Sequence, residues 1–522
     1  MIKPSFTVNL RKNNSTTSAF NSANTLPVHM ALIRREIQLF PFIFISLVIA
    51  IGFSACRDDV YSTNPNDKLT FSTDTLAFDT VFTTVGSATS QIMIYNRNNV
   101  ALKISHMGIA GGKDSPFKIN VDGSLNANNQ FEDLEIRAKD SLYVFVAVTV
   151  NPTNSDSPVF IRDSLVLQTN GINQNIKLQA FGQDIKLLRN KRILNDTALT
   201  AEKPYLIYGN LTVDTAKTLT LNPGCKLYFH NNANLIVYGN LRAEGTADKP
   251  ISLRGDRLDN IKFATPFPYN NVAGQWGGLY LLWKGGNHAL NHVNMNSGYV
   301  GIYFSNEDQN TIPTLEIANS RIQNFLLDGL FVQNGNVQVT NTEISNTGSY
   351  SVYLNGGKHS FIQSTIANYF NNNSVQPTSR DGKPAVMIMD MNRTAPMQSF
   401  FQNCVISGSA DNEFTLASPS LNLYVGVFDH CYIRKSEALD LPQFTAIRWS
   451  QKTDTLFKSI QYNYVKNTYF DFRLDSVSAA RAIGANTDPA VVAKYHLNTD
   501  LNGSHRPTDK PDAGAYQWQP TK

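Results

Sequence analysis

The sequence predicts an all-β protein in two parts, a β-sandwich followed by a solenoid of stacked rungs. Three observations carry this. Ile317-Ala-Asn319-Ser-Arg-Ile322-Gln-Asn324 recurs 22 residues later as Val339-Thr-Asn341-Thr-Glu-Ile344-Ser-Asn346, and 22 later again as Phe361-Ile-Gln363-Ser-Thr-Ile366-Ala-Asn368. A period of about 20 to 50 residues marks a stacked architecture whose rungs bury their apolar faces only against neighbours. Earlier segments instead alternate apolar and polar residues in short runs between turn clusters, and helix-period patterns are scarce throughout.

At the N-terminal end, Arg34 and Arg35 precede an apolar run from Leu39 to Phe53. That run is short for a membrane span, which needs about 20 residues, and has the order of a secretory signal peptide. Residues 1–55 are therefore expected to be processing signal, with residues 1–29 an extension upstream of a start at Met30. The run ends in Phe53-Ser54-Ala55-Cys56, which resembles the lipobox of bacterial lipoproteins, with Phe53 where Leu is usual. The resemblance implies cleavage before Cys56, a lipid on its thiol, and membrane attachment. Residues 56–67 read as a flexible tether. Its Arg57-Asp58-Asp59 resembles the export signal of Bacteroidota-type surface lipoproteins, which implies the outer membrane or cell surface.

Without residues 1–55, which hold Lys3, Arg11, Lys12, Arg34, Arg35 and the single acid Glu36, forty basic groups face forty acidic ones. That balance leaves no electrostatic footprint for nucleic acid. Beyond Cys56 the cysteines are Cys225, Cys404 and Cys431, an odd and widely spaced set that is neither a disulfide framework nor a metal knuckle. Period-2 register places Cys404 and Cys431 side by side on neighbouring rungs, where parallel Cβ vectors favour two thiols over a bond.

Residues 68–185 hold about seven alternating runs, among them Leu142-Tyr-Val144-Phe-Val146-Ala-Val148 and Asn175-Ile176-Lys-Leu178-Gln-Ala180. This spacing predicts an immunoglobulin-like sandwich. The stretches Phe117-Lys-Ile-Asn-Val121-Asp-Gly123, Val148-Thr-Val150-Asn-Pro152 and Leu178-Gln-Ala-Phe-Gly182 resemble the Hydin-type Ig-like domains of bacterial envelope proteins, which implies a spacer or docking domain.

Residues 200–522 change texture. Tyr205-Leu-Ile-Tyr-Gly209-Asn-Leu-Thr-Val213 is echoed by Leu235-Ile-Val-Tyr-Gly239-Asn-Leu-Arg-Ala243, with Asn222-Pro-Gly224 between them and Gln275-Trp276-Gly277-Gly278-Leu279 beyond. These phrases resemble the opening rungs of a right-handed parallel β-helix of the pectate-lyase-like superfamily. Asp512-Ala-Gly514-Ala-Tyr516-Gln is similar to the phrase that closes many bacterial β-helix proteins. Later rungs align on Val293, Ile322, Ile344, Ile366, Ile406, Ile433 and Val465. Two residues before each stand Asn291, Ser320, Thr342, Ser364, Cys404, Cys431 and Asn463, which period 2 turns inward as a ladder of small polar groups. Asn324, Asn346, Asn368 and Asn467, two residues after, suit the left-handed backbone of tight corners.

Each chemistry hosted by such a scaffold makes its own demand. Lyases need a base beside calcium held by several carboxylates, and glycoside hydrolases need acids about 5 to 9.5 Å apart. No acid ladder recurs from rung to rung: Asp328 and Glu343 fall on different sheets, and Glu307 and Asp308 point to opposite faces of a strand. Asn498-Thr499-Asp500 lacks the companion motifs of a pectin hydrolase, and His288 and His292 lack a third zinc ligand. The remaining catalytic candidates, Arg380, Asp381, Asp390 and Arg393, lie in an insertion at about residues 371–395. Tyr280, Trp283, Tyr299 and Tyr303 cluster within one or two rungs and are candidate ligand contacts, while Trp276 belongs to the core. The expectation is a lipid-anchored surface protein that binds a glycan or a surface protein. A polysaccharide lyase or related carbohydrate-active enzyme is the alternative, and calcium enters only with it. A structural stalk is the third.

Overall fold

The computed structural model describes residues 60–261, 267–282, 286–306, 312–370, 380–389, 397–417, 425–461 and 469–520. Cys56 and the tether up to residue 59, Trp283, Glu307, Asp308, Asp390, Arg393, Asn463, Val465 and Asn467 lie outside these. The fold is all-β with long parallel sheets, as a β-helix solenoid requires.

The first part holds two five-stranded sheets. One runs in the order Thr70–Phe71, Ser90–Tyr95, Ser141–Val148, Phe117–Val121, Ser124–Leu125, and the other Thr75–Phe82, Ile172–Gln183, Val159–Thr169, Leu102–Ile109, Gln130–Ile136. The alternation read from the sequence sends Ile92, Ile94, Val144 and Val146 inward from the first sheet, and Leu165, Leu167, Ile176 and Leu178 from the second, into one core. Fully burying each such side chain contributes about 1.5–3 kcal/mol.

The parallel ladder begins at Lys186–Ile193, which pairs with Tyr205–Val213. From there each turn of the chain lays down three strands. One column, sheet A, has ten strands, including Asn287–Asn291, Thr314–Ala318, Asn336–Thr340, Lys358–Ile362, Gln398–Gln402 and Val425–Asp429. The other two columns are joined in an 18-stranded sheet. Column B includes Val293–Asn296, Arg321–Phe325, Glu343–Thr347, Thr365–Asn368, Val405–Gly408 and Tyr432–Ile433. Column C includes Gly278–Leu282, Ile302–Ser305, Leu330–Gln333, Val352–Asn355, Val386–Met389 and Phe414–Ala417. Ile322, Ile344, Ile366, Ile406 and Ile433 stand in register down column B and are all buried, as their alignment predicts, but Val293 is out of that row, since Met295 is the residue that pairs with Ile322. Inside sheet A, Phe361, Phe401, Phe428 and Phe444 stack at 4.5, 5.1 and 4.6 Å between centroids.

The corner from sheet A to column B is two residues long, and its chemistry repeats. His292, Asn319, Asn341, Gln363, Asn403 and His430 take the left-handed backbone there, with φ between 47 and 53°. Asn341 donates to Asn319 Oδ1 at 2.8 Å and Asn319 to Asn291 Oδ1 at 3.0 Å, so the corner side chains bond along the axis. Except after His292, where Val293 follows and Asn291 precedes the corner rather than joining the ladder, the next residue is the small polar one. Ser320, Thr342 and Ser364 donate back to the carbonyls of Ala318, Thr340 and Ile362 at 2.6–2.9 Å. The Cys404 and Cys431 thiols do the same at 3.3 Å to Gln402 and Asp429. Cys404 and Cys431 are free and buried, and burial raises the Cys431 thiol pKa well above its ordinary value. Asn324 and Asn346 take left-handed φ of 59 and 53° within column B. Asn368 instead turns its side chain onto Thr347, donating to its carbonyl at 2.9 Å.

Beyond the last rung the chain turns back. Phe457–Ser459 and Asp471–Leu474 form a hairpin, Asp488 caps the short helix Pro489–Tyr495, and the tail crosses the outer face of column B. The Gly514 N–H donates to the Asn403 carbonyl at 2.8 Å and the Ala515 N–H to Thr365 Oγ1 at 2.9 Å. The Tyr516 hydroxyl donates to Glu343 Oε2, and Arg506 donates to Asn341 Oδ1 at 2.8 Å. The closing phrase is thus a lateral strap. It explains why the outward positions Glu343, Ser345 and Thr365 are buried although polar. Asp500, the acid of the Asn498-Thr499-Asp500 tripeptide, serves the same tail by accepting the N–H groups of Asn502, Ser504 and Gln517.

Candidate functional site

Column C carries the site. Its strands alternate, so Leu281, Phe304, Val332 and Leu354 enter the core while Tyr280, Tyr303, Phe331 and Tyr353 face outward in strict register. Tyr280 and Tyr303 are 5.8 Å apart and tilted by 41°. Tyr303, Phe331 and Tyr353 then stack face to face at 4.8 and 4.7 Å, within 3° of parallel. These spacings are the strand spacing of a sheet, about 4.8 Å, because each ring is carried by one rung. The result is a ribbon along the solenoid axis whose stacked faces are covered by one another and which is half-buried along its length, the Tyr353 hydroxyl donating to Met389 Sδ at 3.4 Å. Tyr299, 45% exposed, lies in the turn leading into this column. Trp276 is in the core, stacked on Phe229 at 4.3 Å with its indole N–H on the Asn296 carbonyl.

One end of the ribbon is polar. Tyr350 leans on Tyr353 at 5.4 Å, and the Lys383 ammonium sits 5.0 Å over the Tyr350 ring. Lys383 also pairs with Asp381 at 2.8 Å. Asp328 accepts the Tyr350 N–H at 3.0 Å, and burial, aided by the charge of Asp381, holds its carboxyl above the usual range. Burial likewise raises the hydroxyls of Tyr280 and Tyr353, with Asp328 contributing at Tyr353.

The four catalytic candidates divide. Asp381 lies at this polar end, half-exposed. Arg380, its neighbour, turns away and forms a closed bidentate pair with Glu413, donating to Oε1 at 2.6 Å and also to Oε2. Glu413 further accepts the N–H groups of Ala385 and Ala410, and the pair is 5% and 0% exposed, so Arg380 is a structural pin. Part of the insertion is not loop at all: Val386–Met389 is a regular strand of column C, with Val386 and Ile388 buried. His288 packs edge-on against Phe304 inside the solenoid, whereas His292 forms a corner. Among the described residues no three metal-binding side chains gather, and no helix is long and apolar enough to cross a membrane. Phe331, Tyr353 and Tyr350 are the contacts the sequence reading missed. The signal was present, since Phe331 and Tyr353 repeat the same 22-residue offset as Ile322 and Ile344.

No family model matches the chain. A stretch of 142 residues is 30% identical to Protein bark beetle of Drosophila melanogaster, covering 22% of this chain and only 4% of that protein. Among solved structures, a family 123 glycoside hydrolase from Clostridium perfringens is similar over 21% of this chain and 23% of its own, at 9% identity and a TM-score of 0.15. The ASH/PapD-like domain of human CEP192 is similar over 25% of this chain and 93% of its own, at 10% identity and a TM-score of 0.16. Likeness of this degree assigns neither fold nor function.

Proposed function

We propose that this chain is a lipid-anchored protein of the bacterial cell surface. In this reading an Ig-like spacer carries a right-handed β-helix that binds a glycan laid along the column C ribbon. The observation that carries the reading is the in-register row Tyr280, Tyr303, Phe331 and Tyr353 on an outward face. Aromatic edges repeated once per rung, with hydroxyls on Tyr280, Tyr303 and Tyr353, offer apolar contact and hydrogen bonds to an extended chain of like units. Lys383, Asp381 and Asp328 supply polar contacts at one end. Affinity electrophoresis against a panel of bacterial and plant polysaccharides tests it. Retardation by at least one glycan, lost in Tyr303→Ala/Phe331→Ala, supports the reading; equal mobility of wild type and variant in every gel overturns it.

A second reading, a carbohydrate-active enzyme, is favoured by one observation. Asp328 is a half-buried acid with a raised pKa near a second carboxylate, Asp381, at the end of the ribbon. A raised acid and a partner carboxylate are what glycoside cleavage uses. Reducing-end release from a retarded glycan, abolished in Asp328→Asn with binding retained, would turn the binder into an enzyme.

A further inference from the structure

A cavity of about 600 Å³ lies between the corner at Gln363, the short helix Pro489–Tyr495 and the Arg506-Pro507 stretch of the strap. We infer that it binds a neutral, apolar ligand through one secondary amide, the group that a peptide bond between apolar residues presents. This site shares no residue with the column C ribbon and does not depend on the reading of the ribbon.

Two side chains of its lining are buried and short of partners. Arg506 is 3% exposed and donates through Nη2 to Asn341 Oδ1 at 2.8 Å, while its Nε and Nη1 have no partner among the described residues. Gln363 is 2% exposed, and its Oε1 likewise has no donor among them. Each buried group left unmet costs about 1–3 kcal/mol. At the neighbouring corners the row is closed. Asn341 donates to Asn319 and accepts from Arg506, and Asn403 exchanges two bonds of 2.8 Å with the backbone of Ala485. Gln363 stands between them in the row, and its oxygen joins neither. A ligand that satisfies both side chains brings an acceptor for Arg506 and a donor for Gln363, and a secondary amide carries the two on adjacent atoms. Charge selects a neutral ligand. Burial pushes the Arg506 guanidinium down to about 10, which leaves it charged at neutral pH, and the nearby Asp500 and Asp512 oppose that charge. Both carboxylates are spent on N–H groups, Asp500 on those of Ser504 and Gln517 and Asp512 on those of Ala482 and Trp518, so they balance the guanidinium without bonding to it. A ligand carboxylate would meet those two negative charges. Pro489, Val492, Leu497, Pro507 and Pro511 supply apolar walls. The volume falls within the range of small-ligand sites, about 300–1,000 Å³, and far exceeds the roughly 30 Å³ of a single water.

The test titrates the full chain in detergent with N-methylhexanamide and with methyl hexanoate, which keeps the carbonyl and replaces the N–H by oxygen. The amide should bind about tenfold tighter, the effect of one hydrogen bond to a buried acceptor. Gln363→Asn matches the neighbouring corners and withdraws the oxygen by one methylene; it should keep the melting temperature and lose that margin. Arg506→Lys, which keeps the charge and removes the guanidinium N–H groups, should weaken both ligands. Hexanoate should bind no more tightly than the amide. A capped dipeptide, N-acetyl-leucyl-leucine N-methylamide, that binds tighter than N-methylhexanamide identifies a peptide as the source, and weaker binding identifies a free small amide. Equal affinity for amide and ester, a margin untouched by Gln363→Asn, or hexanoate as the tightest ligand overturns the inference.

Discussion

At the residue scale the solenoid is built from side chains that burial has forced into one protonation state. His288 and His359 face the interior of sheet A, and burial lowers each imidazole from 6.5 to about 4. A base kept neutral in this way binds fewer protons folded than unfolded. Its stabilisation is therefore complete above the unfolded pKa near 6.5 and falls as pH drops from there towards 4. Between pH 8 and pH 5 the loss should be about 2 kcal/mol per histidine. Urea midpoints across that range should fall with acid, and His288→Leu/His359→Leu should flatten the slope; parallel curves would refute the assignment. The corner residues follow a different logic. Asparagine recurs at Asn319, Asn341 and Asn403 because it tolerates the left-handed backbone and can bond along the axis at the same time. The sequence reading expected left-handed asparagines two residues after each core isoleucine. Asn324 and Asn346 do adopt that backbone, but the sharp turn lies three residues before the isoleucine. Spacing reveals which positions repeat, and not which of two adjacent asparagine rows bends the chain.

At the element scale the rungs were legible and the strap was not. Rung register follows from local identity, since each 22-residue unit repeats its own buried isoleucine and small polar partner. The strap depends on contacts between residues more than 100 positions apart, such as Tyr516 with Glu343 and Ala515 with Thr365, and no periodicity reports those. The partner of Arg380 was hidden for another reason, because Glu413, 33 residues on, belongs to no repeated position. The strap makes a prediction of its own. Gly514 has φ +97°, and a Cβ there would meet Thr365 Oγ1 at 2.7 Å. Gly514→Ala should destabilise by about 1–3 kcal/mol. Tyr516→Phe, which leaves one buried Glu343 oxygen without its donor, should cost about 1–3 kcal/mol. Hydrogen exchange should locate both losses in column B, at Glu343–Thr347 and Thr365–Asn368, while the core amides of sheet A keep their protection. Uniform loss across both sheets would mean that the strap is part of one global unit.

At the scale of the whole molecule, the ten strands of sheet A at about 4.8 Å each give a solenoid roughly 45 Å long. It is joined with almost no slack to the sandwich: Ile172–Gln183 is the last sandwich strand and Lys186–Ile193 the first of the ladder. Asp184 fastens this junction, accepting the Thr153 and Asn154 N–H groups at 2.8 Å from one side and the Lys203 ammonium at 3.4 Å from the other. Phe82 and Tyr228 pack across it at 5.1 Å. A connection this short and well bonded limits hinge motion between the sandwich and the ladder. Ser54-Ala55-Cys56 provides the proposed attachment, and several acyl chains on one cysteine exceed what reversible membrane binding needs. Cys56→Ala should therefore move the protein from the membrane fraction to the soluble one, or leave an uncut precursor, and abolish labelling by a fatty-acid analogue. The purified variant should still bind its glycan in solution, because column C lies far along the chain from the anchor. Unchanged fractionation and unchanged labelling would remove the anchor from the proposal.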